Sequence, residues 1–289
     1  MVGVTLEHDP EKWVPVFGKI MLHQEWGSMT QLSFDDSAAY ERFVGTWGRA
    51  AGSMFLDWLA PPKQANWLDV GCGTGLFTEL IVKHCSPASV VGIDPAPAQI
   101  AYAARKPVAA RAEFRTGDAQ ALPFPDASFD IVASALVINF IPDRPRALAE
   151  MARVARPGGL VGGYIWDFQA ELSPSGPFRL ALRECATGVP PLPGTEDSAP
   201  SRLRLLFEQA GFADIVTTSF EVTVEFADFA AFWAAQMPPY MPTTRMVDAM
   251  DQRDRDRLQA AIRSRLQPSA AGVIRYAARA NAVAARAAG

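Results

Sequence analysis

The chain has 289 residues, of which 49% are hydrophobic and 20% charged, a composition that suits a globular fold with a sizeable core and argues against extended disorder. Its formal net charge of −4 disfavours nucleic acid as the main partner, because phosphate binding rests on clustered Lys and Arg. The three cysteines, Cys72, Cys85 and Cys185, show no CxxC or other metal-ligand spacing, so neither a disulfide framework nor a metal site is expected, and a reducing cytoplasm is the natural compartment.

Glu7, Asp9 and Glu11 interrupt the apolar pattern at the start, and no run of about 18 apolar residues occurs, so neither secretion nor a membrane span is expected. Within residues 1–36, Trp13, Phe17, Met21 and Trp26 are spaced as in an amphipathic helix. Such a helix packs on its own domain, on a second copy as a homodimer, or over a substrate as a cap. A stronger helical period runs from Asp36 to Leu59, with Tyr40, Phe43, Val44, Trp47, Met54, Phe55, Trp58 and Leu59 as its apolar set, and Pro61 and Pro62 end it.

Strand and helix then alternate. Strands are predicted at 66–70, 89–93, 113–116, 129–135 and 160–166, with helices at 76–84, 96–105 and 144–155. Short apolar strands separated by helices of this length predict an α/β fold, a doubly wound and mostly parallel sheet covered on both faces. Right-handed crossovers bring the strand C-termini to one edge, where a ligand binds near the switch in strand order. Farther on, 169–200 reads as a loop with a helix near 178–186. Residues 201–210 form a helix capped by Ser201 and stopped by Gly211, 214–224 alternate as a strand, and 226–267 are helical. By propensity the tail from Val273 to Ala287, rich in Ala and Arg, favours a helix.

Residues 67–75, Trp-Leu-Asp-Val-Gly-Cys-Gly-Thr-Gly, carry the strand into three glycines. Such a turn exposes backbone N–H groups to a ligand at a helix N-terminus. A GxGxxG dinucleotide turn would place its third glycine at position 76, which is Leu76; the spacing here is GxGxG. Asp94 ends the second strand, where a carboxylate can accept both hydroxyls of a ribose. Asp118 follows the third strand, placed for an adenine amino group. Each acid alone also fits an ordinary loop cap.

The segments Leu68–Gly75, Val91–Asp94, Gly117–Phe124, Ser128–Val132 and Arg153–Gly159 resemble the class I S-adenosylmethionine-dependent methyltransferases of the UbiE-like, methyltransferase type 11 group. The resemblance covers about residues 66–167 and is specific for cofactor and fold, and nearly silent on substrate. It implies a Rossmann-like, seven-stranded sheet with its last strand antiparallel, which makes 276–285 a strand against its propensity. It also implies that Asp69 and the backbone of Gly71, Cys72, Gly73 and Gly75 receive the methionine end of S-adenosylmethionine. Asp94 then holds the ribose, Pro95 and Ile100 pack near the adenine, and Asp118 with Ala119 reads its edge. Ser134 and Ala135 line the methionine side, and Tyr40, Trp47 and Arg49 are cofactor-covering candidates that equally fit helix packing with a solvated arginine.

The whole chain then reads as one methyltransferase domain: a helical cap at 1–60, the cofactor half at 61–167, the rest of the sheet at 168–225 and 271–289, and a helical lid at 226–270. Phe229, Trp233, Met237 and Tyr240 are candidates to line an apolar acceptor pocket or to pack the lid itself. Methyl transfer needs alignment more than a base, so catalytic candidates are weak. They are Tyr164 and Asp167 at the end of the fifth strand, the latter as base, polar anchor or cap, and His23 in the N-terminal segment. His84 suits a helix C-terminus. Met237-Pro238-Pro239-Tyr240 lacks the polar residue and the position of an amine-binding Pro-Pro-Tyr motif. The expected function is methylation of a small, partly apolar molecule; an NAD(P)-dependent oxidoreductase and a non-catalytic cofactor-binding module are the alternatives.

Overall fold

The computed structural model describes residues 37–238 and 241–288, without the side chains of 37–44 and 242. The call on His23, the N-terminal amphipathic segment and its dimer, the side chain of Tyr40, and Tyr240 lie outside the described residues.

Helix α1 (Ser37–Leu59) leads into β1 (Asn66–Val70), α2 (Leu76–His84), β2 (Ser89–Asp94), α3 (Pro97–Ala103), β3 (Glu113–Thr116), β4 (Phe129–Ala135), α4 (Arg144–Val154) and β5 (Ala155–Trp166). There follow α5 (Gly176–Cys185), α6 (Pro200–Gln209), β6 (Ala213–Phe226), α7 (Phe229–Gln236), α8 (Pro242–Asp248), α9 (Gln252–Arg263) and β7 (Ile274–Arg286). The seven strands form one sheet in the order β3-β2-β1-β4-β5-β7-β6. β1 to β5 pair in parallel, and β7 runs antiparallel to both neighbours. Strand order reverses between β1 and β4, so the crevice for a ligand opens above the ends of these two strands.

Burial on both faces explains the near-continuous apolar strands. Leu68, Val70 and Val132 point into a core shared with α4 and α6. Trp67, Ile131 and Ala133 point the other way, into a core with α1 and α2. β7 is sandwiched between β5 and β6, and its Ala278, Ala280 and Ala282 face one core while Val283 and Ala285 face the other. Burial on both faces with small side chains makes this alanine-rich segment a strand despite its helix propensity.

Three boundaries differ from expectation. β5 begins at Ala155, because Arg156–Gly159 bulge out of the register between Phe129↔Ala155 and Ile131↔Leu160, with Gly158 at φ +72°. Helix α6 is capped at Ala199 with no side-chain cap bond, and Pro200, whose ring presets the helical φ, takes the first turn in place of a Ser201 cap. Residues 226–267 break into three helices among the described residues, since Pro238 cannot continue α7 and Asp251 starts α9 by accepting from the Asp254 N–H at 2.8 Å.

β5 ends its pairing at Trp166↔Ala280, whereas β6 and β7 pair onward to Phe226↔Ile274. The hairpin therefore projects past the C-terminal edge of the parallel strands and carries α7, α8 and α9 with it. These helices bury Phe229, Phe232, Val247, Leu258 and Ile262 against Phe178, Ala181 and Leu182 of α5, a third core distinct from the two beneath the sheet.

Candidate functional site

The glycine turn after β1 is built by conformation and close approach. Gly71, Gly73 and Gly75 all have positive φ, at +76°, +52° and +77°, a region that L side chains enter at a cost. A Cβ on Gly71 would lie 2.5 Å from Val137 Cγ1, and one on Gly75 2.9 Å from Phe114 Cζ, while one on Gly73 would meet nothing within 4 Å. Gly71 and Gly75 are thus needed for packing, whereas the space above Gly73 is left for a ligand. The Gly71 and Cys72 N–H groups both donate to Ile93 O, at 2.7 and 3.0 Å, which binds the turn to β2. The Cys72 side chain is buried beside Gly92, and burial, reinforced by Asp69 and Asp94, pushes its thiol well up.

Two buried acids flank this turn. Asp69 is fully buried; the Thr78 hydroxyl of α2 donates to its Oδ2 at 2.6 Å, and its Oδ1 has no partner. Burial pushes its carboxyl up to about 7, against the Thr78 bond and with help from Asp94. Asp94 is 6% exposed and accepts the Gly73 N–H on Oδ2 and the Ala96 N–H on Oδ1, each at 2.9 Å. Burial raises it to about 6, opposed by those two bonds. Each Asp94 oxygen keeps lone-pair capacity for a ribose hydroxyl. A buried carboxylate oxygen without a partner is costly, and Asp69 Oδ1 suits the charged amino group of S-adenosylmethionine.

Beyond the turn, Gly71, Ile93, Pro95, Asp118, Ala119 and Gln120 face Val137, Phe140, Ile141 and Pro142 across a shallow open cleft. Asp118 is fixed by its neighbour: the Gln120 N–H and Nε2 donate to it at 2.8 and 3.0 Å. Val137 and Phe140, in the short turn after β4, were not singled out by the sequence, which carries no glycine or acid to mark them. Leu136 was missed too. It sits at φ +61° at the crest of β4 and donates its N–H to Tyr164 O at 2.7 Å; a bulky residue so held marks a constrained turn.

Not all the expected residues converge. Strand alternation puts Ala135 on the face of Asp69 but turns the Ser134 side chain to the other, where its buried Oγ has no partner. On α3 the buried residues are Gln99 and Ala103, with Ile100 half-buried. Trp47 packs edge-on against Trp166 and Tyr276, with centroids 6.2 and 5.9 Å away, and Arg49 pairs with Glu79 at 3.3 Å. Their surroundings match helix packing more than cofactor contact. Tyr164 is 1% exposed between Phe55 and Phe77. Asp167 is buried; its Oδ2 accepts Arg279 Nε and Nη2, at 2.8 and 2.6 Å, and its Oδ1 accepts the Ala170 N–H at 3.0 Å. Those contacts make it an anchor and a cap. Phe229 stacks on Trp233 and lies under Arg263, packing among helices α7 to α9.

A Rossmann-like sheet of this order, with a GxGxG turn and acids ending β1 and β2 at the switch point, defines a nucleoside-cofactor protein. The chain belongs to the S-adenosylmethionine-dependent methyltransferase family. The family model described as "Methyltransferase domain" matches residues 68–162. Over 186 residues the chain is 33% identical to the demethylmenaquinone methyltransferase of Thermus thermophilus, covering 58% of this chain and 81% of that one. It is 37% identical over 129 residues to the malonyl-[acyl-carrier protein] O-methyltransferase of Serratia marcescens, covering 45% of this chain and 46% of that protein. The chain thus spans less than half the length of that relative. In fold it is similar to phosphoethanolamine N-methyltransferase 2 of Haemonchus contortus solved with S-adenosylmethionine, with a TM-score of 0.56, 19% identity, 97% of this chain and 62% of that chain. Among the described residues no helix is long and apolar enough to cross a membrane.

Proposed function

We propose that the protein transfers the methyl group of S-adenosylmethionine to a small, partly apolar acceptor, in the cytoplasm, as a single domain with residues 226–270 as its lid. The observation that carries the reading is the unpartnered Oδ1 of the fully buried Asp69 beside the open face of Gly73.

In this reading Asp69 and the glycine turn hold the methionine end, Asp94 holds the ribose, and the cleft walled by Pro95, Ala119 and Phe140 takes the adenine. The bound cofactor supplies an activated methyl on a sulfonium. The protein's share is to position an acceptor in line with that methyl and to exclude water. The aromatic cluster of Trp47, Trp166, Phe226 and Tyr276, roofed by the lid helices, suits an apolar acceptor. Relatives named for demethylmenaquinone and for malonyl-[acyl-carrier protein] support a partly apolar acceptor without choosing between them.

The test is calorimetry with S-adenosylhomocysteine, followed by mass spectrometry of phenol, quinol and carboxylic acid acceptors incubated with S-adenosylmethionine. Tight binding of S-adenosylhomocysteine with methylation of one acceptor class is the expected result. Binding of NADH in its place, read by tryptophan fluorescence, would replace the reading with the oxidoreductase alternative.

A further inference from the structure

Among the described residues, Arg179 is a charged side chain that the fold buries without an acid beside it as an ion-pair partner. It lies in α5, beneath the lid, and is 4% exposed. Its one hydrogen bond among the described residues runs from Nη2 to Pro190 O at 2.5 Å. The nearby acid, Glu171, is paired with Arg183. Arginine is seldom buried without a carboxylate or phosphate partner, because an uncompensated buried charge is strongly destabilising. Burial, with Arg183 nearby, accordingly lowers its guanidinium to about 10.

The position of this charge is set by the loop that it holds. Pro193 O accepts Asn139 Nδ2 at 3.1 Å, and Gly194 packs against the Asn139 backbone, so the loop is folded over the turn that follows β4. Leu192 of the same loop packs against the core that contains Trp47 and Trp166. Arg179 therefore anchors one end of the loop whose other end meets the turn after β4. At the start of the same helix, Gln236 of the lid is 3% exposed and donates Nε2 to Pro174 O at 3.2 Å, while its Oε1 has no partner. The unpartnered Gln236 Oε1, together with a guanidinium held by a single carbonyl under an otherwise apolar roof, points to a polar ligand.

Building on the methyl-transfer reading, we infer that Arg179 receives a carboxylate carried by the acceptor. Four of the five guanidinium N–H groups remain after the bond to Pro190, enough for a bidentate carboxylate. Charge balance favours this over phosphate. A single carboxylate neutralises one guanidinium, whereas a phosphate of nearly two charges would need a second cation, and Arg183 is already paired. Arg179 is thereby a residue that selects an acceptor with an apolar body and a carboxylate end.

The experiment is calorimetry on the full chain saturated with S-adenosylhomocysteine, using octanoate, octanamide and octyl phosphate as probes. Octanoate is expected to bind at least tenfold more tightly than the other two. Arg179→Gln should erase the preference, and Arg179→Lys, which keeps the charge but loses the fork, should cut it severalfold; both should hold S-adenosylhomocysteine within twofold of the parent. Equal or absent binding of octanoate and octanamide, a preference for octyl phosphate, or a preference unchanged in Arg179→Lys would overturn the inference alone. Failure of the parent protein to bind S-adenosylhomocysteine would remove the methyl-transfer reading, and the inference with it.

Discussion

Asp94 accepts the backbone N–H of Gly73 at 2.9 Å, and this one bond ties the end of β2 to the middle of the glycine turn that follows β1. The carboxylate proposed to hold a ribose therefore also sets the height of the backbone at the proposed cofactor site. Asp94→Ala removes both functions. S-adenosylhomocysteine affinity should fall by about 1–3 kcal/mol, the scale of a lost charged hydrogen bond. Calorimetry on the variant checks this, and an unchanged affinity would remove Asp94 from the ribose site.

The glycines of the turn should separate stability from binding. In Gly71→Ala the new Cβ would lie 2.5 Å from Val137 Cγ1 at a φ of +76°, so strain and overpacking should cost about 3 kcal/mol of stability. In Gly73→Ala the Cβ meets no protein atom, and the left-handed conformation alone should cost about 1 kcal/mol. Its methyl group nevertheless enters the space reserved for the ligand. Urea unfolding should thus rank Gly71→Ala as the less stable, while Gly73→Ala stays folded and loses S-adenosylhomocysteine affinity more than tenfold. Equal affinity of Gly73→Ala and the parent would mean that no ligand approaches that backbone.

Much of this frame was legible in the sequence because period, glycine spacing and strand-end acids are local signals. The strands β1 to β5, the turn at 71–75 and the acids Asp94 and Asp118 needed no knowledge of tertiary structure beyond the rule that parallel strands share an edge. The last strand was legible only by resemblance, since Ala and Arg favour helix and its burial between β5 and β6 is a tertiary fact. Residues whose importance comes from pairing across the fold were opaque. The Asp167–Arg279 pair joins positions 112 apart in the chain, and nothing local distinguishes an anchor from a base. Arg179 reads as one more helical arginine until its burial is known.

Proton linkage gives the buried acids a measurable signature. Burial raises Asp69 to about 7 and Asp94 to about 6 in the folded state, from an ordinary value of 3.8. Below about 3.8 both states hold these protons, and the stabilisation from a raised folded-state pKa is fully present. As pH rises toward 7 the unfolded chain has released them while the native state still binds them, so that contribution is progressively lost, on the order of a few kcal/mol. Asp69→Asn, which mimics the neutral acid, should therefore be less sensitive than the parent in urea unfolding between pH 4.5 and 8. The opposite holds for ligand. An ammonium group at Asp69 favours its ionised form, so S-adenosylhomocysteine should bind more tightly at pH 8 than at pH 5.5 in the parent, with the trend reduced in Asp69→Asn. Parallel pH profiles for the two proteins would contradict both expectations.

Asp167 stands where a base might be sought, at the end of β5, yet its contacts assign it to the frame. Its Oδ2 is engaged by Arg279 and its Oδ1 by the Ala170 N–H, while its own N–H donates to Arg279 O at 2.8 Å. It thus clamps β5 to β7 just where the β6–β7 pair leaves β5 to carry α7, α8 and α9. Asp167→Asn retains the cap but weakens the ion pair. Because Arg279 is 42% exposed, solvent screens the pair, and the stability loss should be about 1–2 kcal/mol, less than for a wholly buried pair. A catalytic base would instead leave stability nearly unchanged and remove one limb of the kcat–pH profile. Measuring both on the same preparation separates the roles: a lower Tm with a profile of unchanged shape supports the clamp, and a lost alkaline-rising limb at constant Tm would make Asp167 the base.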